Sequence, residues 1–412
     1  MPRTIGNSRD TLEIELAAPR GWSFAAGNTI IGNVVRHSKV LAPQATVTIV
    51  LKGRVKTKVV VRRSHHKESF RGRWQLLDEK PCTVYKGPLH LAEGENSVSW
   101  PFSVAIPTGP EASFLQSHSE KESFLPLDDE NVSRHCLPGS FHGYGSGRVP
   151  NTEGFVEYFL EAELRYSRSG TWEAARTTYP ITLRHASTSA ILDPDIQQNT
   201  MPLKVQSQRR LSRMEDEDLT LKQKTQKFLR LCTGPQFHYK VEVLSPRALQ
   251  LDDPTPIPFS LRIVPEQTNT SENVHDRPQI FHLNWVKMTI KSTTMFMAPG
   301  NFSSKHVHYN SRRVTIHLCL EKAFDDLESP ITLISDPESE FLNIGDLLQP
   351  VLCSSGLWAR ERCLASVLNL HPDFVTYNIR HSNWVKWDVS LDVAGDTHKF
   401  SVSNDLKILP AV

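Results

Sequence analysis

The stretch Leu12-Glu13-Ile14-Glu15-Leu16 alternates apolar and charged residues, the pattern of a strand with one buried and one wet face. A turn at Ala26-Gly27-Asn28 leads into the β-branched run Thr29–Val35. Alternation returns over Val47–Val59, around a glycine, Gly53, of the kind that marks a bulge or a close backbone approach. It returns again over Ser97–Pro107, where Pro101 restricts the strand to an edge or a bulge, then over Phe155–Tyr166 and Tyr179–Leu183. The second half repeats the texture at Phe237–Val243, Pro258–Ile263, Phe281–Ser292, Arg313–Leu320, Val375–Arg380, Asn383–Val393 and Leu406–Pro410. Short strands broken by frequent turns predict an all-β chain of sandwiches or barrels, with no helix–strand alternation.

At 412 residues the chain exceeds the roughly 250–300 residues at which a single core stops growing, which predicts two domains. Between Ala186 and Pro235 the alternation gives way to a charge-dense stretch that includes Arg209-Arg210-Leu211-Ser212-Arg213 and Glu215-Asp216-Glu217-Asp218. The expected organisation is therefore a β-sandwich over 1–185, a charged linker over 186–235 and a second sandwich over 236–412. Residues 108–150 form a polar insertion in the first sandwich, read as a surface loop.

A formal charge of +2 supplies no general attraction to nucleic acid, so any anionic partner has to be met by a local patch. Six cysteines without a C-x-x-C pair argue against a zinc framework or a disulfide scaffold. With no apolar leader and no apolar run of ~18 residues, the chain reads as soluble and cytoplasmic. The glycosylation patterns at Asn131, Asn269 and Asn301 are then of no consequence.

The order of motifs in the first half is more specific than its composition. Gly27-Asn28-Thr29-Ile30-Ile31-Gly32-Asn33-Val34 is followed by Val47–Gly53 and Leu91-Ala92-Glu93-Gly94-Glu95. Trp100-Pro101-Phe102-Ser103-Val104-Ala105-Ile106-Pro107 comes next, then Leu137-Pro138-Gly139-Ser140-Phe141 and Gly154–Ala162. In this order they resemble the amino-terminal domain of the arrestin family, closest to the α-arrestins of fungi. The resemblance covers 10–185, is looser in the carboxyl half and has no counterpart for Ala323–Gly356. It implies two tandem immunoglobulin-like sandwiches, no enzymatic activity and no cofactor. It further implies an adaptor that binds membrane receptors or transporters as cargo and couples them to endocytosis, protein trafficking or ubiquitination, peripheral to the plasma membrane or endosomes. Many α-arrestins reach ubiquitin ligases through Pro-Pro-x-Tyr tails; no such motif occurs in this chain, so the ligase connection rests on the resemblance alone.

Lys52, Arg54, Lys56 and Lys58 fall at a period of two, and Arg62, Arg63, Lys67, Arg71 and Arg73 extend the run with one acid, Glu68. The expectation is a surface for phosphopeptides or anionic lipid headgroups, set against a solvated edge strand that uses lysine to resist aggregation. Ser212, behind two arginines, is a candidate phosphosite. His65-His66 and His306-Val307-His308 lack partners at ligand spacing, so no metal is expected. The alternative function is a sandwich that binds a small ligand or carbohydrate on its tryptophans; Trp384 and Trp387, three apart, would face opposite sides of a strand.

Overall fold

Most of the alternating runs become strand in the computed structural model, but residues 376–378 form a bend within the Val375–Arg380 run and residues 318–320 lie beyond the strand that ends at His317. The structure describes residues 4, 6, 12–63, 66–92, 97–115, 117–144, 152–168, 170–187, 189–191, 195–207, 225, 234–275, 277–300, 307–327, 329–366 and 370–412. Contacts divide the chain into two units. The first gathers 1–187 with 293–313 and 374–381; the second gathers 188–292 with 314–373 and 382–412.

The first unit contains β1 (Glu13–Leu16), β2 (Ser23–Phe24), β3 (Thr29–Arg36), β4 (Val40–Arg63), β5 (His66–Gln75), β6 (Cys82–Leu91), β7 (Val98–Ala105), β8 (Phe141–Tyr144), β9 (Glu153–Arg168) and β10 (Thr171–Leu183). A three-stranded sheet runs β1-β3-β7, and a larger one β2-β10-β9-β4-β5, with β6 beside β4 and β8 beside β9. Both sheets line one apolar core, with Ile14, Ile30, Val34 and Phe102 from the first and Val47, Ile49, Leu160 and Leu164 from the second. Pro101 sits on β7, an edge strand where its missing N–H leaves no ladder bond unmade. Pro43 falls in a register shift of β4 between Ala42 and Ala45. Gly53 lies opposite Tyr158, and a Cβ there would stand 2.7 Å from the tyrosine ring, so its glycine marks a close approach.

The second unit follows with β11 (Ile196–Gln206), β12 (Gln236–Pro246), β13 (Ala248–Gln250), β14 (Ser260–Pro265), β15 (Ile280–Ala298), β16 (His308–His317), β17 (Ile331–Ile334), β18 (Leu342–Asn343), β19 (Pro350–Cys353), β20 (Gly356–Ala359), β21 (Arg362–Ser366), β22 (Phe374–Val375), β23 (Ile379–Val393) and β24 (Asp396–Leu409). Of these, the far end of β15, the start of β16, all of β22 and the first residues of β23 group with the first unit. One sheet runs β11-β12-β14-β18; another runs β13-β24-β23-β15-β16, with β17 beside β15 and β22 beside β23; β19-β20-β21 form a third. Val241, Val243, Leu261 and Ile263 meet Val286, Ile290, Val385 and Val389 in the core.

The two sets of strands repeat one plan. The order β2-β10-β9-β4-β5 in the first recurs as β13-β24-β23-β15-β16 in the second, and β1-β3-β7 recurs as β12-β14-β18. Even the short parallel pairs match: Ser23–Phe24 lies along Thr182–Leu183, and Ala248–Gln250 along Lys407–Leu409. No residue-level repeat is visible, because strand order depends on which faces bury apolar side chains and many sequences satisfy that pattern. The additions fall at one place in the plan. The chain between β7 and β8 carries the polar insertion, and the chain between β18 and β22 carries β19–β21.

The described residues of that insertion pack against the rest of the first unit. Helices α1 (Ala112–Leu115) and α2 (Asp129–Val132, capped by the Asp128 carboxylate) bury Leu115 and Val132, and Leu137 follows them into the core. His118 stacks on Trp74 at 3.8 Å, and Trp74 on Tyr377 at 4.6 Å. Phe124 N–H donates to the Tyr377 carbonyl at 2.7 Å, and His135 Nδ1 lies 3.0 Å from the Tyr377 hydroxyl. A few apolar and aromatic residues among many polar ones hold it, which leaves no periodicity to read.

Inside the stretch 186–235, β11 pairs with β12 along its whole length, from Ile196 opposite Pro246 to Gln206 opposite Gln236. Backbone pairing at a sheet edge holds it together with a short apolar face, on which Val205 is buried and Met201 and Leu203 pack against the core.

Among buried titratable groups, His371 is pushed down to about 4 from 6.5 by burial. The folded value lies below the unfolded one, so the unfolded chain binds more protons between them and stability falls as pH drops from 6.5 towards 4. The loss is on the order of 2–3 kcal/mol. The neighbouring Asp373 carboxyl is raised by burial, against hydrogen bonds from Asn383 and the Ile408 amide, and titrates with the opposite slope. Urea unfolding at several pH values, compared between the wild type and His371→Leu, isolates the histidine: the stability of the wild type relative to the variant should fall by about 2–3 kcal/mol in acid. A constant difference would remove His371 from the acid response.

Candidate anion-binding face

Along β4 every second residue turns inward. Leu51, Gly53, Val55, Thr57 and Val59 are buried, and Lys52, Arg54, Lys56 and Lys58 point from the opposite face. β4 is an interior strand, with β9 on one side and β5 on the other, so the expected edge strand is not what these residues occupy. Pairing with β9 brings acids to the row: Glu157 lies opposite Arg54, and Glu153 opposite Lys58.

The row divides into a neutralised half and an uncompensated half. Lys52 is 3.1 Å from Glu79 and 3.0 Å from Glu161. Arg54 donates from Nε to Glu157 at 2.5 Å and from Nη2 to the Thr4 hydroxyl at 2.9 Å, while Thr4 N–H donates to the other Glu157 oxygen at 2.8 Å. Its guanidinium also lies over the Phe159 ring, 4.9 Å from the centroid. Arg54 is therefore a structural cation, and Lys52 is spent on two carboxylates. This corrects the expectation of one continuous positive row, whose period was read without the β9 acids that tertiary pairing places beside it.

Lys56 and Lys58 carry no ion pair among the described residues. The Lys56 amine lies 5.8 Å from the Phe155 ring centroid. Burial and the nearby Arg54 and Arg73 charges hold Lys56 below the usual lysine range, against the pull of Glu157. β5 adds what the row itself does not show: Arg73 lies opposite Lys56, and Arg71 opposite Lys58. The backbones of Arg62 and Arg63 continue β4, but their side chains lie outside the described residues, as does Ser212 with its two arginines.

Of the histidine pairs, His65 and His306 lie outside the described residues. His66 is 3.1 Å from Glu68, and His308 stacks on Phe70 at 3.6 Å. Glu13 and Glu15 of β1 gather with His37, which follows β3, a grouping invisible in sequence, but they sit at the surface with His37 3.6 Å from Glu13. Trp22 and Trp172 are 55% and 57% exposed, yet Trp22 precedes β2, which pairs with the far end of β10 from Trp172. Ten residues of strand at ~3.3 Å each keep them from converging on one sugar. Trp387 is buried and Trp384 lies on the other face under Lys291, at 4.3 Å, as their three-residue spacing requires.

Among the described residues no helix is long and apolar enough to cross a membrane. The chain matches no protein-family model and no curated protein sequence.

Proposed function

We propose that this chain is a non-enzymatic, arrestin-like adaptor of two tandem immunoglobulin-like sandwiches. It binds membrane receptors or transporters as cargo and couples them to trafficking or ubiquitination. The observation that carries the reading is the repeated strand plan, two copies of one β framework in a single chain. It accords with the ordered motifs of residues 27–162, whose resemblance implies a doubled sandwich. Frameworks of this kind bind partners through loops and by strand addition at exposed edges. Without a Pro-Pro-x-Tyr motif, a ubiquitin ligase would have to be met by a folded surface.

Proximity labelling by the tagged full chain in its native cell tests this. The expected set is enriched in integral membrane proteins together with trafficking or ubiquitin-ligase components. A labelled set containing neither class would overturn the adaptor reading.

A further inference from the structure

Four cations stand together on the larger sheet of the first unit. Lys56 and Lys58 alternate along β4, and Arg73 and Arg71 lie directly across from them on β5. Directly opposed residues share a face at ~5 Å, and alternate residues along a strand are ~7 Å apart. The four charges therefore mark the corners of a small, regular patch. Arg71 and Arg73 are exposed, Lys56 and Lys58 half-exposed, and none of the four is ion-paired among the described residues. Lys67, two alternations further along β5, is exposed on the same face.

The nearby acids do not cancel this charge. Glu157 is held by Arg54 and Thr4. Glu153, across from Lys58, is a single acid beside four cations, and Glu68 lies on the reverse face of β5 beside His66. Lys56 feels the excess directly, through Arg54 and Arg73. The whole chain carries only +2, so any attraction to an anion has to come from such a local concentration.

We infer that this β4–β5 face, centred on Lys56, Lys58, Arg71 and Arg73, docks the protein on an anionic lipid surface. The four charges arise from alternate positions on two neighbouring strands and are spread over the sheet face at ~5–7 Å intervals. An extended anionic plane meets all four charges at once, whereas a single phosphate group needs donors converging on it. Of the basic run apparent in sequence, Lys52 and Arg54 drop out, and strand pairing sets Arg71 and Arg73 beside Lys58 and Lys56. At ~1 kcal/mol per basic residue near a charged membrane, four charges correspond to a partition coefficient raised by up to about a thousandfold at low ionic strength. The inference deepens the adaptor reading by naming how the protein reaches the membrane that holds its cargo, and it rests on that reading only for its biological purpose.

Co-sedimentation of the purified full chain with vesicles tests it. The vesicles are phosphatidylcholine alone, or phosphatidylcholine with about one third phosphatidylserine. The wild type should bind the anionic vesicles and not the neutral ones, with binding that weakens as salt rises. The variant K56E/K58E/R71E/R73E should bind at least about a hundredfold more weakly. A control with the same change in net charge at other exposed sites, R20E/K80E/R134E/K322E, should stay within about threefold of the wild type. Circular dichroism checks folding. If the fourfold reversal does not fold, R71S/R73S, which changes only exposed residues, should still lose about thirtyfold.

Absence of wild-type binding to anionic vesicles would overturn the inference, as would equal losses in the patch variant and the control. Tight binding of a multiply phosphorylated soluble peptide, lost in the patch variant while vesicle binding is unchanged, would assign the face to phosphopeptides instead. Failure here with membrane proteins still labelled in the cell removes the lipid face and leaves the adaptor. Vesicle binding without such labelling does the reverse.

Discussion

Alanine in place of Trp387 is expected to lower the unfolding free energy of the second unit by about 3–5 kcal/mol, the range for a large aromatic removed from a core. The side chain is fully buried on β23 and stacks on Phe259 at 4.4 Å and 29°. Val385, Val389 and Leu391 alternate with it on the same buried face, so there is little nearby freedom to collapse into the space. Its indole Nε1 is buried without a hydrogen-bond partner among the described residues. Trp387→Phe therefore removes an unsatisfied donor while keeping most of the ring, and should cost only about 1 kcal/mol. Urea unfolding followed by circular dichroism measures both. If alanine and phenylalanine cost the same, the packing account of this core is wrong.

Arg54→Ala should destabilise the first unit by about 3–4 kcal/mol, although arginine on a sheet face reads as a surface residue. Glu157 is only 5% exposed and depends on Arg54 and the Thr4 amide for its partners. Removing the guanidinium leaves a buried carboxylate with half its support, a change that costs far more than the intact pair contributes. The effect stays at the low end of the range for buried pairs because the Arg54 side chain is itself 20% exposed. Two comparisons separate a stranded charge from lost packing. Arg54→Met with Glu157→Leu should recover most of the loss, since neither charge is then left behind. Lys52→Ala, whose two carboxylate partners are more exposed, should cost less than ~1 kcal/mol. Equal losses in the single and double variants at 54 and 157 would show that packing and not charge is lost. Charge reversal at Arg54 would thus report on folding, whatever ligand the face takes.

Much of the fold was legible in sequence because burial on one side of a strand writes a period of two into the chain. The runs over 47–59, 155–166 and 383–393 all lie within strands, and Pro101 and Gly53 occupy the edge and the close approach that their chemistry demands. β11 escaped notice because its apolar face is confined to Met201, Leu203 and Val205 at one end, after inward positions filled by Gln197 and Asn199. The insertion escaped because its hold on the unit is a handful of separated contacts, chiefly those of His118, Phe124 and His135 to Trp74 and Tyr377. The basic face was half legible: the sequence places Lys52, Arg54, Lys56 and Lys58 on one side of a strand, but it has no means of saying that Glu157 and Glu161 arrive beside two of them.

For this protein, local sequence determined the all-β character, the inward and outward faces of each long strand and the positions where proline and glycine are tolerated. Each of these follows from residues within a few positions of one another. Tertiary structure decided the repeated sheet order, the packing of the insertion's described residues and which cations remain uncompensated. Those depend on strand partners that lie far away in sequence, such as Arg54 with Glu157 and Lys58 with Arg71, and electrostatic compensation follows distance in space.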